Sequence, residues 1–124
     1  MPENTSSSNK VKSYSSGVAN RSLNEARHHH FVVDGSSDKG GPQALAAPEV
    51  FLSGLSACAV NMICRTSHSL NIPLIHSEVT IEGLRDSFDI KTVPAHFEKI
   101  NMVFEIWGPS SAQANELVTA YQHN

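Results

Sequence analysis

From Val50 to Ile63 the chain is small or apolar on nearly every helical face, interrupted only by Ser53, Ser56 and Asn61. Pro48 suits a helix start, where its missing N–H costs nothing. Glu49 then lies in the first turn, where the helix dipole favours a carboxylate. The pattern predicts a helix from Pro48 to Ser69, stopped by Asn71-Ile72-Pro73 because a residue before proline resists the helical region. A helix apolar on all faces is expected to be buried all round. A chain of 124 residues holds one core and too little material for two ordinary domains. The far side of the helix therefore calls for a cover, most simply a second subunit.

The flanking segments read as strands. Lys10 to Ser16 partly alternates, and Ala26 to Asp34 forms a second run that ends in the turn-rich loop Asp34 to Pro42. Ile75 to Leu84 alternates as a strand with one wet face should. His96 to Trp107 reads as another strand, with Phe97, Ile100, Met102, Phe104 and Ile106 apolar on largely one parity. Gly108-Pro109-Ser110 breaks that run. Ser110 or Ser111 can cap a final helix carrying Ala114, Leu117, Val118 and Tyr121. Strands grouped around one long helix argue for an α+β fold. Residues 1–9 are Ser/Asn-rich and polar, read as a disordered terminus, leaving 10–124 as the folded domain.

Two cysteines, Cys58 and Cys64, lie on the predicted helix. Six residues of helix separate them by about 9 Å and turn them about 120° apart, beyond the reach of a disulfide. Cys64 is expected to be a buried small hydrophobe. Unpaired thiols favour a reducing interior such as the cytoplasm. A net charge of −3 gives no basic footprint for nucleic acid. No apolar run is read as long enough for a membrane span, and no signal segment opens the chain. His28 and His30 would share a strand face, but no nearby cysteine or carboxylate completes a tetrahedral set, so neither a metal nor a cofactor is expected. Asp34 and Asp38 read as loop residues rather than a cation site. His68 and His76 read as surface residues at the helix exit. Ser56 follows no strand and lacks the flanking glycines of a nucleophile elbow.

The segment Pro48-Glu49 to Cys58, with Leu55-Ser56-Ala57-Cys58-Ala59, resembles the OsmC/Ohr family of thiol-dependent hydroperoxide reductases. Those proteins carry a Pro-Glu pair, small and apolar residues, and a cysteine nine positions after the glutamate. Phe31-Val32-Val33-Asp34 with Gly40-Gly41-Pro42 looks like the strand and glycine loop that precede the helix in that family. Val79 to Gly83, Ile100 to Ile106 and the closing helix follow the family order. The likeness covers about residues 18–124. It implies an OsmC-like fold, with antiparallel sheets packed around a long buried central helix in an intertwined homodimer.

The resemblance further implies that Cys58 is the peroxidatic cysteine, its thiolate stabilised by an arginine near the N-terminal strands. Arg21 and Arg27 are the choices, and Arg21 better matches the family distance from the glycine loop. Glu49 would orient that arginine. Nine helical residues put Glu49 and Cys58 on opposite sides of one helix, about 13 Å apart along its axis. Cooperation between them thus requires a second chain packed across a two-fold axis. The family's two-cysteine members place a second thiol after the final helix, where this sequence reads Tyr121-Gln122-His123-Asn124. Either the polypeptide is truncated there or an external thiol must recycle a sulfenic acid on Cys58.

Two functions follow as expectations. One is reduction of organic hydroperoxides in oxidative-stress defence, with Phe51, Leu55 and Met62 supplying apolar surroundings. The other is a non-catalytic dimer, binding or stress-related, in which Cys58 is only packing.

Overall fold

The computed structural model describes residues 7–37, 41–85 and 97–123. Most of the expected polar terminus, Asp38 and Gly40 of the glycine loop, and His96 lie outside the described residues. The chain divides into two compact units, Met1–Val50 and Phe51–Asn124.

In the first unit, β1 (Lys12–Ser15), β2 (Arg21–Ala26) and β3 (His29–Asp34) form an antiparallel sheet in the order β1-β2-β3. The run expected as one strand from Ala26 to Asp34 is instead the end of β2, a two-residue turn and β3. Arg27 and His28 make that turn with φ of 49° and 68°. Left-handed backbone at both central residues is what a type I′ hairpin requires, and Asn-Gly is its usual signature. Arg-His carries no such signature, so neither the turn nor β2 stood out. The histidine run is split accordingly. His28 lies in the turn, and His30 contacts Glu25 across the ladder at 3.1 Å. Buried Asn24 is satisfied by Ser13 Oγ, which donates to its Oδ1 at 2.6 Å, and by its own amide donating to the Phe31 carbonyl at 3.2 Å.

Helix α1 (Ala47–Ser69) begins one residue earlier than expected. Ala46 is its N-cap, because its carbonyl accepts the first helical bond from Val50 N–H at 3.0 Å. Pro48 occupies the second helical position, where its absent N–H is likewise one without a helical partner. The C-terminus closes as a Schellman motif. Asn71 adopts φ 55°, Ile72 N–H donates to Ser67 O at 2.8 Å, and Asn71 N–H to His68 O at 3.4 Å.

The second unit adds a hairpin of β4 (His76–Leu84) and β5 (Lys99–Trp107), then α2 (Ser111–Gln122). The register pairs Val79 with Phe104 and Ile81 with Met102 on the half-buried face, and Glu78 with Glu105 on the exposed one. Of the two serines that could cap α2, Ser110 does so, in a reciprocal capping box with Gln113. The core of this unit is Ile63, Ile72 and Leu117, with Leu74, Phe104, Ile106 and Tyr121 against it. The Phe104 and Tyr121 rings lie 5.5 Å apart in tilted contact. Gly108, with φ 111°, lies so close to the Pro73 carbonyl and the Ile75 amide that no Cβ fits there.

Two expectations about α1 do not hold for the single chain. It is not buried all round, since only Ala59, Ile63 and Ser67 are buried, while Phe51 is 58% exposed and Leu55 37%. Cys64 is exposed, not buried filling. The shared cause is geometric. One chain covers a single stripe at i, i+4, i+8 and leaves the other faces of the helix open. By length and composition alone α1 would also suffice to cross a membrane, contrary to the expectation that no run is long enough.

Candidate functional site

The loop between β1 and β2 is built to deliver Arg21. Ser16 Oγ accepts from Val18 N–H at 3.1 Å and donates to the Arg21 carbonyl at 2.8 Å, while Arg21 N–H donates to Val18 O at 3.2 Å. Asn20 turns the chain with φ 65°. The two-residue hairpin then fixes the register so that Arg21 lies opposite Asp34. Directly opposed side chains on one face of an antiparallel pair are near neighbours. Arg21 Nε donates to Asp34 Oδ2 at 2.9 Å.

Asp34 is wholly buried. Its Oδ1 accepts from Ser36 N–H at 2.8 Å and its Oδ2 from Gln43 N–H at 2.9 Å. Its own N–H donates to the Leu45 carbonyl at 2.8 Å. The Ser36 hydroxyl beside it, the amides of Gln43 and Ser36, and the Arg21 guanidinium all favour the anion. Together they outweigh burial and hold the Asp34 carboxyl well below the usual carboxylate range, although the hydroxyl makes no hydrogen bond of good geometry. Asp34 thus ties the end of β3 to Arg21 on one side and to the segment leading into α1 on the other.

Arg21 lines an open cleft of about 630 Å³ together with Ser15, Val18, Asn20, Val33 and Ala47. Its side chain is 22% exposed, and among the described residues only Nε has a partner. Among the described residues the two terminal amino groups are left for an anion. Arg27 sits exposed in the hairpin turn, a strand's length from Arg21.

Glu49 occupies the third position of α1, where its Oε1 accepts from Ala46 N–H at 2.9 Å. This is the glutamate half of a capping box whose N-cap residue, alanine, has no hydroxyl to reciprocate. No hydrogen bond joins Glu49 to Arg21 among the described residues. Cys58 is exposed on α1, sharing its helical stripe with Phe51, Gly54, Leu55, Met62 and Arg65. Cys64 is also a free, exposed thiol, on a different stripe. The described residues contain no group of three or more His, Cys, Asp or Glu placed to hold a metal ion.

The structure thus brings together Arg21 and Asp34, a pairing that sequence reasoning missed. The signal was present but indirect. Once the turn is centred between Arg27 and His28, the antiparallel count from that centre leads to Arg21 and Asp34 as partners.

Comparison with protein-family models and with curated proteins gave no match. Comparison with solved structures did. The crystal structure of an OsmC-like protein from Mycoplasma pneumoniae superposes with a TM-score of 0.78 at 16% identity, covering 91% of this chain and 79% of that one. The chain has the OsmC-like fold. A second OsmC-like neighbour, from Legionella pneumophila, gives a TM-score of 0.64 at 17% identity, covering 91% of this chain and 80% of its own. That protein is described as an organic hydroperoxide resistance protein OsmC, a predicted redox protein and regulator of sulfide bond formation. At these identities the OsmC-like likeness speaks for architecture, and the chemistry must be argued from the residues.

Proposed function

We propose that this protein is a thiol-dependent reductase of organic hydroperoxides acting in oxidative-stress defence, with Cys58 as the peroxidatic cysteine. The observation that carries the reading is an accessible Cys58 thiol on the long helix of an OsmC-like fold, bordered by Phe51, Leu55 and Met62. The Cys58 thiolate attacks the terminal peroxide oxygen. An S–O bond forms, the O–O bond breaks, and the alkoxide leaves with a proton as an alcohol. Sulfur gives up two electrons and becomes a sulfenic acid. Two equivalents of an external thiol return it to the thiol, releasing water and a disulfide.

Arg21 supplies the positive charge that favours the thiolate. Glu49 of a partner chain helps to orient Arg21, since one helix cannot bring its own Glu49 and Cys58 together. The protein is accordingly read as a homodimer in which the open faces of α1 are covered by the second copy. Free thiols suit the reducing cytoplasm. The apolar border of Cys58 favours alkyl peroxides over hydrogen peroxide.

The test is the rate of Cys58 oxidation by cumene hydroperoxide and by hydrogen peroxide, followed by intact mass. Fast, organic-selective formation of the sulfenic acid is expected. Slow oxidation, equal for both peroxides and no faster than at Cys64, would overturn the assignment and leave a non-catalytic dimer. Sedimentation should give twice the chain mass, and a strictly monomeric species would contradict the shared site.

A further inference from the structure

We propose that Asp34 is a positioning residue for Arg21, holding Nε so that the two terminal amino groups are kept for the anion of the reactive thiol. The inference rests on the thiol reading above and adds a residue to it. A guanidinium can be gripped in two ways. A carboxylate across both terminal nitrogens uses up the face that would otherwise meet a thiolate or a peroxide oxygen. Asp34 does not grip it so. It takes only Nε, at 2.9 Å, and leaves the terminal nitrogens without partners among the described residues.

The surroundings make this grip rigid. Asp34 is wholly buried and is itself held by Ser36 N–H at 2.8 Å and Gln43 N–H at 2.9 Å. Arg21 is held at its own backbone by Ser16 Oγ and by Val18 O. Arg21 is therefore anchored at its backbone and at Nε, and it lines the cleft. Planarity then sets where the terminal N–H groups point. A lysine could not do both jobs, because one ammonium would have to serve Asp34 and the anion together. Glu49 has one oxygen on the helix cap, so a partner's Glu49 can meet Arg21 only through what remains. Asp34 is the anchor present within the chain itself.

The test is a double-mutant cycle in the Cys64→Ser protein, whose only thiol is Cys58. The readout is alkylation of Cys58 by iodoacetamide, which tracks thiolate formation and needs no peroxide. Asp34→Asn should slow alkylation about tenfold, as misplacement of a catalytic group does, and Arg21→Ala should slow it comparably. The double variant should be no slower than Arg21→Ala beyond about twofold, because Asp34 acts only through Arg21. Equal slowing by Asp34→Asn in both backgrounds would overturn the proposal, since a structural residue behaves so. An unaffected Arg21→Ala protein would overturn it too. Should Asp34→Asn fail to fold, Arg21→Lys decides. Loss like that of Arg21→Ala is expected, and a full rate would refute the need for an anchored fork. Cumene hydroperoxide consumption is measured alongside. If no protein consumes it while the alkylation pattern holds, the peroxidase reading fails and the positioning role stands.

Discussion

Glu49 stands at a helix start and, in the proposed chemistry, beside an arginine, and Glu49→Gln separates those roles. Its carboxylate is exposed, is the acidic group of the first turn of α1, and accepts from Ala46 N–H at 2.9 Å. Glutamine at the same position retains an acceptor oxygen, so the cap bond survives and only the charge is lost. A charge at an exposed helix N-terminus contributes about 0.3–1 kcal/mol. For a domain of this size that is a fall in Tm of only a few degrees, on the order of 4 °C per kcal/mol. Glu49→Ala removes the acceptor as well and should cost roughly 1–2 kcal/mol more. Neither loss unfolds a domain with ordinary stability of about 5–15 kcal/mol. If Glu49 also orients Arg21, Glu49→Gln should slow cumene hydroperoxide consumption about tenfold while the melt barely moves. Thermal melts and peroxide assays on the same preparations decide the matter. A Tm drop beyond about 10 °C for the glutamine variant would refute the cap geometry as the whole structural role. An unchanged rate would remove Glu49 from the site.

Three further outcomes are expected. Cys58→Ser should abolish peroxide consumption while Cys64→Ser keeps most of it, and equal loss in both would mean the thiols are misassigned. Gly108→Ala should cost about 2 kcal/mol or more in denaturant unfolding, combining left-handed strain with a Cβ driven against the Pro73 carbonyl; a loss below about 0.5 kcal/mol, the range of inconsequential surface changes, would show that the Pro73–Ile75 turn gives way. Asp34 has a folded-state pKa lowered by its donors, so its contribution is complete above the ordinary carboxylate value of about 3.9 and is lost as pH falls below it. Denaturant titrations between about pH 5 and 3 should therefore show a shallower acid loss for Asp34→Asn than for the parent, and parallel curves would count against the buried anion.

What the sequence disclosed depended on how local each signal was. The long helix, the β4–β5 pair and the Ser110 cap rest on short-range pattern, and each appears within a few residues of its expected place. The β2–β3 hairpin was merged into one strand because Arg27-His28 takes a left-handed turn without glycine or asparagine. That single omission hid Asp34, since its pairing with Arg21 follows only from the hairpin register. The start of α1 moved by one residue for a similar reason. Ala46 has no capping side chain, so Pro48 drew the boundary toward itself, while the actual cap uses Glu49 reaching backwards. Within the single chain only one stripe of α1 is buried, and hydrophobicity tells that a face seeks cover and not which molecule supplies it.

The open faces of α1 bear on what the helix is for. A helix long and apolar enough to span a bilayer, with only Ala59, Ile63 and Ser67 buried in the single chain, asks for a partner. Lipid is a poor one. The stripe shared with Cys58 also carries Arg65, and the helix holds Asn61 and His68 well inside or near its end, groups that are costly in a hydrocarbon core. The second copy of the chain proposed above would serve better, because it could meet Phe51 and Leu55 with apolar surface and Arg65 with polar surface along one interface. It would also answer the spacing of Glu49 and Cys58, which one helix holds on opposite sides. The open faces of α1 and the separation of Glu49 from Cys58 would then both follow from the one proposed arrangement. If the proposed dimer forms, a variant that breaks it should expose α1 and slow the thiol together. Separation of those two effects, with a monomer as reactive as the parent, would leave the long helix without its proposed reason.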